Sequence, residues 1–142
     1  MSQENVTTVR LAYEAWNAGD MSALGEFYAP DAIIVRSLEG WPEVGVIAGR
    51  EAVIGYFGQL RDTWDNDTLE PIGNLIEAGD RVVVRQLWKA EGQGPKLSME
   101  FTAIYTLRDE KLFLVEYFWS HAEALKTLGL SEQDAHATRP RR

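Results

Sequence analysis

Two histidines, two mid-strand arginines and a few carboxylates flanked by apolar residues are the groups in this chain with the means to move protons or hold anions. His121 stands where the last predicted strand gives way to a helix. An ordinary imidazole exchanges protons near neutral pH, so His121 can serve as an acid or base. It can equally be a rim residue beside the start of Ala122-Glu-Ala124. Arg36 and Arg85 each fall among apolar neighbours. A guanidinium there needs a partner, because burying an unpaired charge is very costly. That partner is either a ligand carboxylate or enolate oxygen gripped by forked hydrogen bonds, or a structural acid: Asp31, Glu100 or Glu116. Asp31 opens the first strand, as a capping residue or as a pocket carboxylate. Glu100 and Glu116 would act as bases if burial raised their pKa. Alternation places both on the side away from the aromatic residues.

Those aromatics are the second chemical resource. Trp16, Tyr28, Tyr56, Phe57, Phe101, Tyr105, Tyr117 and Trp119 all recur on positions expected to face helices. So many rings with few polar groups suit a flat, mostly apolar ligand, and inward phenols can polarise a carbonyl. Trp41 sits in the loop sequence Gly40-Trp-Pro-Glu43, where it either folds back as a lid or packs as structure. Two distant histidines and no cysteines do not make a metal cluster. No glycine loop of the phosphate-binding kind is present, and no cofactor is implied.

Elements able to position these groups follow from periodicity. Val6, Val9, Tyr13 and Trp16 form the stripe of a first helix. Asn17-Ala-Gly-Asp20 breaks it, with Gly19 as C-terminal stop and Asp20 as N-cap of a second helix bearing Leu24, Phe27 and Tyr28. Pro30 ends that helix, and Ala32 to Val35 begins a strand. Ser37 to Ala48 reads as loop. Arg50 starts a third helix carrying Val53, Tyr56, Phe57, Leu60 and Trp64. Strands are expected over Leu69 to Glu77, Arg81 to Ala90, Leu97 to Leu107 and Leu112 to Ser120, then a short helix from Ala122 to Leu128. In the last strand Phe113, Val115, Tyr117 and Trp119 share one face, and Leu112, Leu114 and Phe118 the other.

Helices followed by antiparallel strands predict an α+β fold, one domain over residues 1–130 with a tail at 131–142. At 142 residues and 45% hydrophobic, the chain can bury one real core. A net charge of −8 argues against nucleic acid as a partner. No apolar run approaches the roughly 20 residues that span a bilayer, and Met-Ser-Gln-Glu-Asn lacks a signal-peptide pattern, so a cytoplasmic protein is expected. Trp88, Ile104, Leu114 and Phe118 are expected to form an apolar patch on the outer sheet face. That patch predicts a homodimer, unless the C-terminal helix covers part of it.

The run Tyr13-Glu-Ala-Trp-Asn-Ala-Gly-Asp20, with Tyr28-Ala-Pro-Asp31, Gly49-Arg-Glu-Ala52, Ala78-Gly-Asp-Arg-Val82 and Tyr105-Thr-Leu-Arg-Asp109, resembles the SnoaL-like branch of the nuclear transport factor 2-like superfamily. That branch is related to polyketide cyclases and ketosteroid isomerases. The resemblance implies a cone-like curved sheet packed on three helices. It also implies a pocket for a small molecule, with Arg36 and Arg85 pointing inward. The activity it implies is cofactor-independent cyclisation or isomerisation of an apolar carbonyl compound, or else binding without catalysis. The isomerase roles are not kept. The tyrosine position falls near Ala12, the base near Arg36 and the second acid near Thr102 or Ala103. An arginine cannot accept a proton at neutral pH. Ser120 stands where relatives carry an acidic residue.

Overall fold

The computed structural model describes residues 2–36, 45–63, 65–91 and 97–130. Its elements are α1 (Ser2–Ala18), α2 (Met21–Glu26), β1 (Tyr28–Arg36), β2 (Gly45–Ala48), α3 (Arg50–Thr63), β3 (Asp65–Pro71), β4 (Ile76–Ala78), β5 (Arg81–Glu91), β6 (Leu97–Arg108), β7 (Lys111–Phe118) and α4 (His121–Thr127). The helix break works as its sequence implies. Gly19 takes φ 74°, and Gly19 and Asp20 return their N–H groups to Trp16 and Ala15. Asp20 then accepts from the Ala23 N–H at 3.0 Å and caps α2. Asn17 adds a tertiary role. Its side-chain amide both donates to and accepts from the backbone of Leu69, at 2.9 and 2.8 Å, and so clips the end of α1 to edge strand β3.

The strands form one sheet ordered β2-β1-β7-β6-β5-β3, with β4 paired to β5. Among the described strands, only β1 and β7 run parallel. The sheet is unclosed, with β2 and β3 at its edges. Helices α1 to α3 cover one face. Val9, Trp16, Leu24, Val53 and Phe57 meet Val82, Val84, Ala103, Tyr105 and Val115 there in the main core.

Several boundaries differ from expectation. Tyr28 opens β1 instead of closing α2, and Pro30 is tolerated because the residues from Ala29 to Ala32 bulge away from the β7 register. Part of the expected Ser37–Ala48 loop is strand β2; its remainder, with Trp41, lies outside the described residues. Leu69–Glu77 is two strands, interrupted where Gly73 takes φ 74°. A bulge pairs Thr106 with Leu114 but Leu107 with Leu112, leaving Phe113 without a partner in the ladder. Leu112 thereby turns into the core and Phe113 out of it, under the Arg108 guanidinium at 4.1 Å. The expected faces of β7 are thus exchanged at Leu112 and Phe113. The 131–142 tail lies outside the described residues.

The outer face requires a larger correction. Trp88 is on the inner face, packed with Ala90 and Phe101. Strict alternation puts it in phase with Val82 and Val84, not with Val83. Ile104 is fully buried by this chain itself: Val83 and Ile104 hold Ala124 and Leu125 of α4, with Phe118, Leu128 and Ile76 around them. Helix α4 is fixed by Ser120, whose hydroxyl accepts from the Glu123 N–H at 3.2 Å. Beyond α4 the outer face carries cross-strand ion pairs, Arg85–Glu100 and Lys89–Glu70. Among the described residues no helix is long and apolar enough to cross a membrane.

Leu125 is the largest side chain that α4 buries. Leu125→Ala should therefore cost about 2–5 kcal/mol, read from the urea midpoint. The loss should appear at every protein concentration, since the cover comes from the same chain. An unchanged midpoint in Leu125→Ala would mean that α4 does not cover this face.

Candidate functional site

Between the helices and the inner sheet face lies a cavity of about 80 Å³. Its lining comes from every layer: Ala12, Tyr13 and Trp16 of α1, Leu24 of α2, Tyr28 of β1, Tyr56, Phe57 and Leu60 of α3, and Leu69, Gln86, Trp88, Met99, Phe101, Tyr105 and Tyr117 of the sheet. Rings lock the walls. Trp16 stands edge-on to Phe57 at 5.1 Å, Phe101 edge-on to Tyr117 at 5.5 Å, and Tyr13 edge-on to Tyr105 at 6.0 Å.

One polar chain crosses this apolar space. The Tyr105 hydroxyl donates to the Tyr13 hydroxyl at 2.9 Å, and Tyr13 donates in turn to Oε1 of Gln86. Gln86 is completely buried, and its Nε2 has no hydrogen-bond partner. Trp88, at the other side, donates its indole N–H to the buried carboxylate of Asp67 at 2.9 Å.

Burial pushes the phenols of Tyr13, Tyr28, Tyr105 and Tyr117 well above the ordinary value of 10.0, and each would also repel a neighbouring phenolate. All four are therefore neutral hydrogen-bonding groups, not bases, near pH 7. No Asp, Glu, His, Lys or Arg is among the described lining residues. The described residues can bind an apolar body and hydrogen-bond one polar atom of it.

The expected site residues divide clearly. Trp16, Tyr28, Tyr56, Phe57, Phe101, Tyr105 and Tyr117 meet in the cavity. Arg85 does not: it lies on the outer face, 46% exposed, with its Nε on Glu100 at 2.5 Å. It alternates with Val84 and Gln86, so the strand that brings those inward sends it outward. Asp31 is exposed and accepts from Arg108 at 2.5 Å; that hydrogen bond holds its carboxyl below the ordinary value. His121 sits at the outer side, its Nδ1 3.1 Å from the Thr102 hydroxyl, at the foot of α4. Trp119 follows β7 at the rim, 41% exposed, with its ring 6.3 Å from that of Phe101. Arg36 ends β1 opposite Gly45, and its side chain, like Trp41, lies outside the described residues. Glu100 and Glu116 are on the outer face as alternation requires. Tyr13, Gln86, Trp88 and Met99 are lining residues that the sequence reading did not assign to the site. Gln86 had a signal: a polar residue in phase with Val82, Val84 and Trp88. Among the described residues no group of three or more metal-binding side chains is assembled.

The SnoaL-like domain family model matches residues 9–115. Among curated proteins, none matches the sequence. Solved structures do. Bal32a, from a soil-derived mobile gene cassette, is 23% identical, with 82% of this chain and 88% of that one covered at a TM-score of 0.74. SalBIII, described as an epoxide hydrolase/cyclase-like enzyme in pyran ring formation in the polyether salinomycin, is 24% identical, with 83% and 92% covered at 0.70. A putative SnoaL-like polyketide cyclase from Jannaschia sp. CCS1 is 17% identical, with 82% and 85% covered at 0.69. At these identities the likeness is one of fold.

The raised phenols have a measurable consequence. Each folded-state value lies above the unfolded one, so the stability they carry is full below about pH 10 and falls as pH rises beyond it. In an absorbance titration, the phenolate signal of Tyr13, Tyr28, Tyr105 and Tyr117 should appear only as the protein unfolds in alkali. In 8 M urea it should appear near pH 10. Ionisation of these residues near pH 10 in the folded protein would contradict their burial.

Proposed function

The chain belongs to the SnoaL-like domain family, and on that premise we propose that its cavity binds a small, largely apolar molecule carrying a carbonyl group. The observation that carries this reading is the lining itself: rings and aliphatic side chains on all sides, interrupted by one buried chain of hydroxyl and amide groups. At about 80 Å³ the cavity falls below the ~300–1,000 Å³ of sites that enclose drug-sized ligands. The occupant is accordingly of single-ring size.

Binding without turnover is placed first. A proton-transfer enzyme needs a base in contact with its substrate, and His121 and Asp31 both lie on other surfaces. A cofactor-independent cyclase or isomerase is the second reading. Its support is the neutral amide donor of Gln86 in the cavity wall, which suits a developing enolate oxygen, and the fold shared with cyclase-like relatives. The proposal places the protein in the cytoplasm. It retains self-association only through Leu114 and Phe118, the two members of the expected patch that stay half-buried on the outer face.

Two measurements order these readings. Native mass spectrometry of protein purified from its host should show a complex with a small organic molecule, and the same spectrum reports monomer or dimer. Deuterium uptake at the α-carbons of added cyclopentanone should then proceed no faster with the protein than with buffer. Acceleration abolished by a cavity-filling Ala12→Phe substitution would put the enzymatic reading first. A bare protein mass together with no binding of cyclic ketones or hydrocarbons would remove the proposal.

A further inference from the structure

Gln86 is the one amide side chain among the described residues of the cavity wall; it is completely buried, and its Nε2 has no hydrogen-bond partner. Buried amides are almost always paired, so such an atom calls for a reason. We infer that Gln86 is the ligand-recognising residue, that its Nε2 hydrogens are presented to an acceptor oxygen, and that the occupant is selected as a neutral hydrogen-bond acceptor. This rests on the binding function proposed above and narrows it to a chemical class and a residue.

The direction of the hydrogen-bond chain supports the assignment. Tyr105 donates to Tyr13 and Tyr13 donates to Oε1 of Gln86, so both phenolic protons and the amide oxygen are used. The amide nitrogen is what remains. Reversing the chain would strand the Tyr105 proton and the Gln86 oxygen together, two orphaned groups in place of one. Each bond in such a series polarises the next, so an amide whose oxygen accepts from Tyr13 is a better donor through its nitrogen. The backbone holds the group still: Gln86 pairs with Phe101 on one side and Pro71 on the other, in the interior of the sheet. Tyr13 reaches it from α1, so the amide cannot swing without breaking a contact between layers.

This polarity discriminates between two ligand classes that an aromatic box would otherwise accept alike. Ring faces attract alkylammonium ions. An amide N–H directed into the same space opposes a cation and favours an oxygen lone pair. Ketones, lactones and quinone-like carbonyls fit, and saturated hydrocarbons and ammonium ions do not.

A matched pair of probes tests the inference: cyclopentanone and methylenecyclopentane, which differ by C=O against C=CH2, together with tetramethylammonium ion. Dissociation constants are measured by calorimetry or ligand-observed NMR. In a cavity lacking a donor the hydrocarbon wins, because the ketone must shed its water. The wild-type protein is expected to prefer the ketone and to bind the cation weakest. In Gln86→Leu the ratio of the two ring constants should move by about tenfold toward the hydrocarbon, the effect of one buried hydrogen bond. Since Gln86→Leu orphans the Tyr13 hydroxyl and can impair folding, Tyr13→Phe/Tyr105→Phe/Gln86→Met, which removes the whole chain and is checked by circular dichroism, serves as the companion variant and should show the same shift. A wild-type preference for the hydrocarbon or the cation overturns the inference, whether or not the variants fold. So does an unchanged ratio in a folded variant. In either case binding itself stands. Failure of all three probes to bind removes the binding proposal as well.

Discussion

The Tyr105–Tyr13–Gln86 chain is the interaction on which the rest of the site depends. It is the polar seam through a cavity otherwise walled by rings, and it joins α1 to β5 and β6. In a low-dielectric interior such a chain is strong when complete and costly when broken. Losing the Tyr13 hydroxyl would leave Tyr105 without an acceptor and Gln86 without its donor. The two Asn17 hydrogen bonds to Leu69 act with it, holding the same helix to β3, the edge strand beside β5. Together they set how far α1 stands from the strands, and that distance is the width of the cavity.

The sheet sorts chemistry by parity. On β5, Val82, Val84, Gln86 and Trp88 face the helices, while Val83, Arg85 and Lys89 face outward. Charges that would be costly inside are paired with Glu100 and Glu70 at the surface. Exposed pairs of this kind add little stability. Helix α4 completes the scheme by covering the apolar part of the outer face, where Val83 and Ile104 would otherwise meet water.

Much of this was legible in the sequence. The helix break at Asn17–Asp20, the inward rings and the α+β order all follow from spacing and turn chemistry, and the resemblance named the family whose model matches residues 9–115. What was not legible depends on register and on long-range partners. Arg85 reads as a pocket residue when judged by its apolar neighbours, yet a side chain's face is set by its phase, and Gln86 held the inward position beside it. An outer-face Trp88 goes against the alternation of its own strand, which sets it in phase with Val82 and Val84. The bulge at Phe113 shifts the phase of β7 by one residue and leaves no trace in composition. Tyr13 counted as one more member of an apolar stripe, because nothing local to α1 announces a partner 73 positions away. His121 and Asp31 drew attention as titratable groups; their partners, Thr102 and Arg108, come from other elements.

Recognition as proposed turns on a hydrogen bond from the Gln86 amide to a ligand oxygen inside an apolar cavity. The carbonyl 13C chemical shift of bound [1-13C]cyclopentanone reports that bond most directly. A resonance displaced downfield of its position in hydrocarbon solvent is expected, with the displacement absent in Gln86→Leu. A bound resonance at the hydrocarbon-solvent position in the wild-type protein would contradict it.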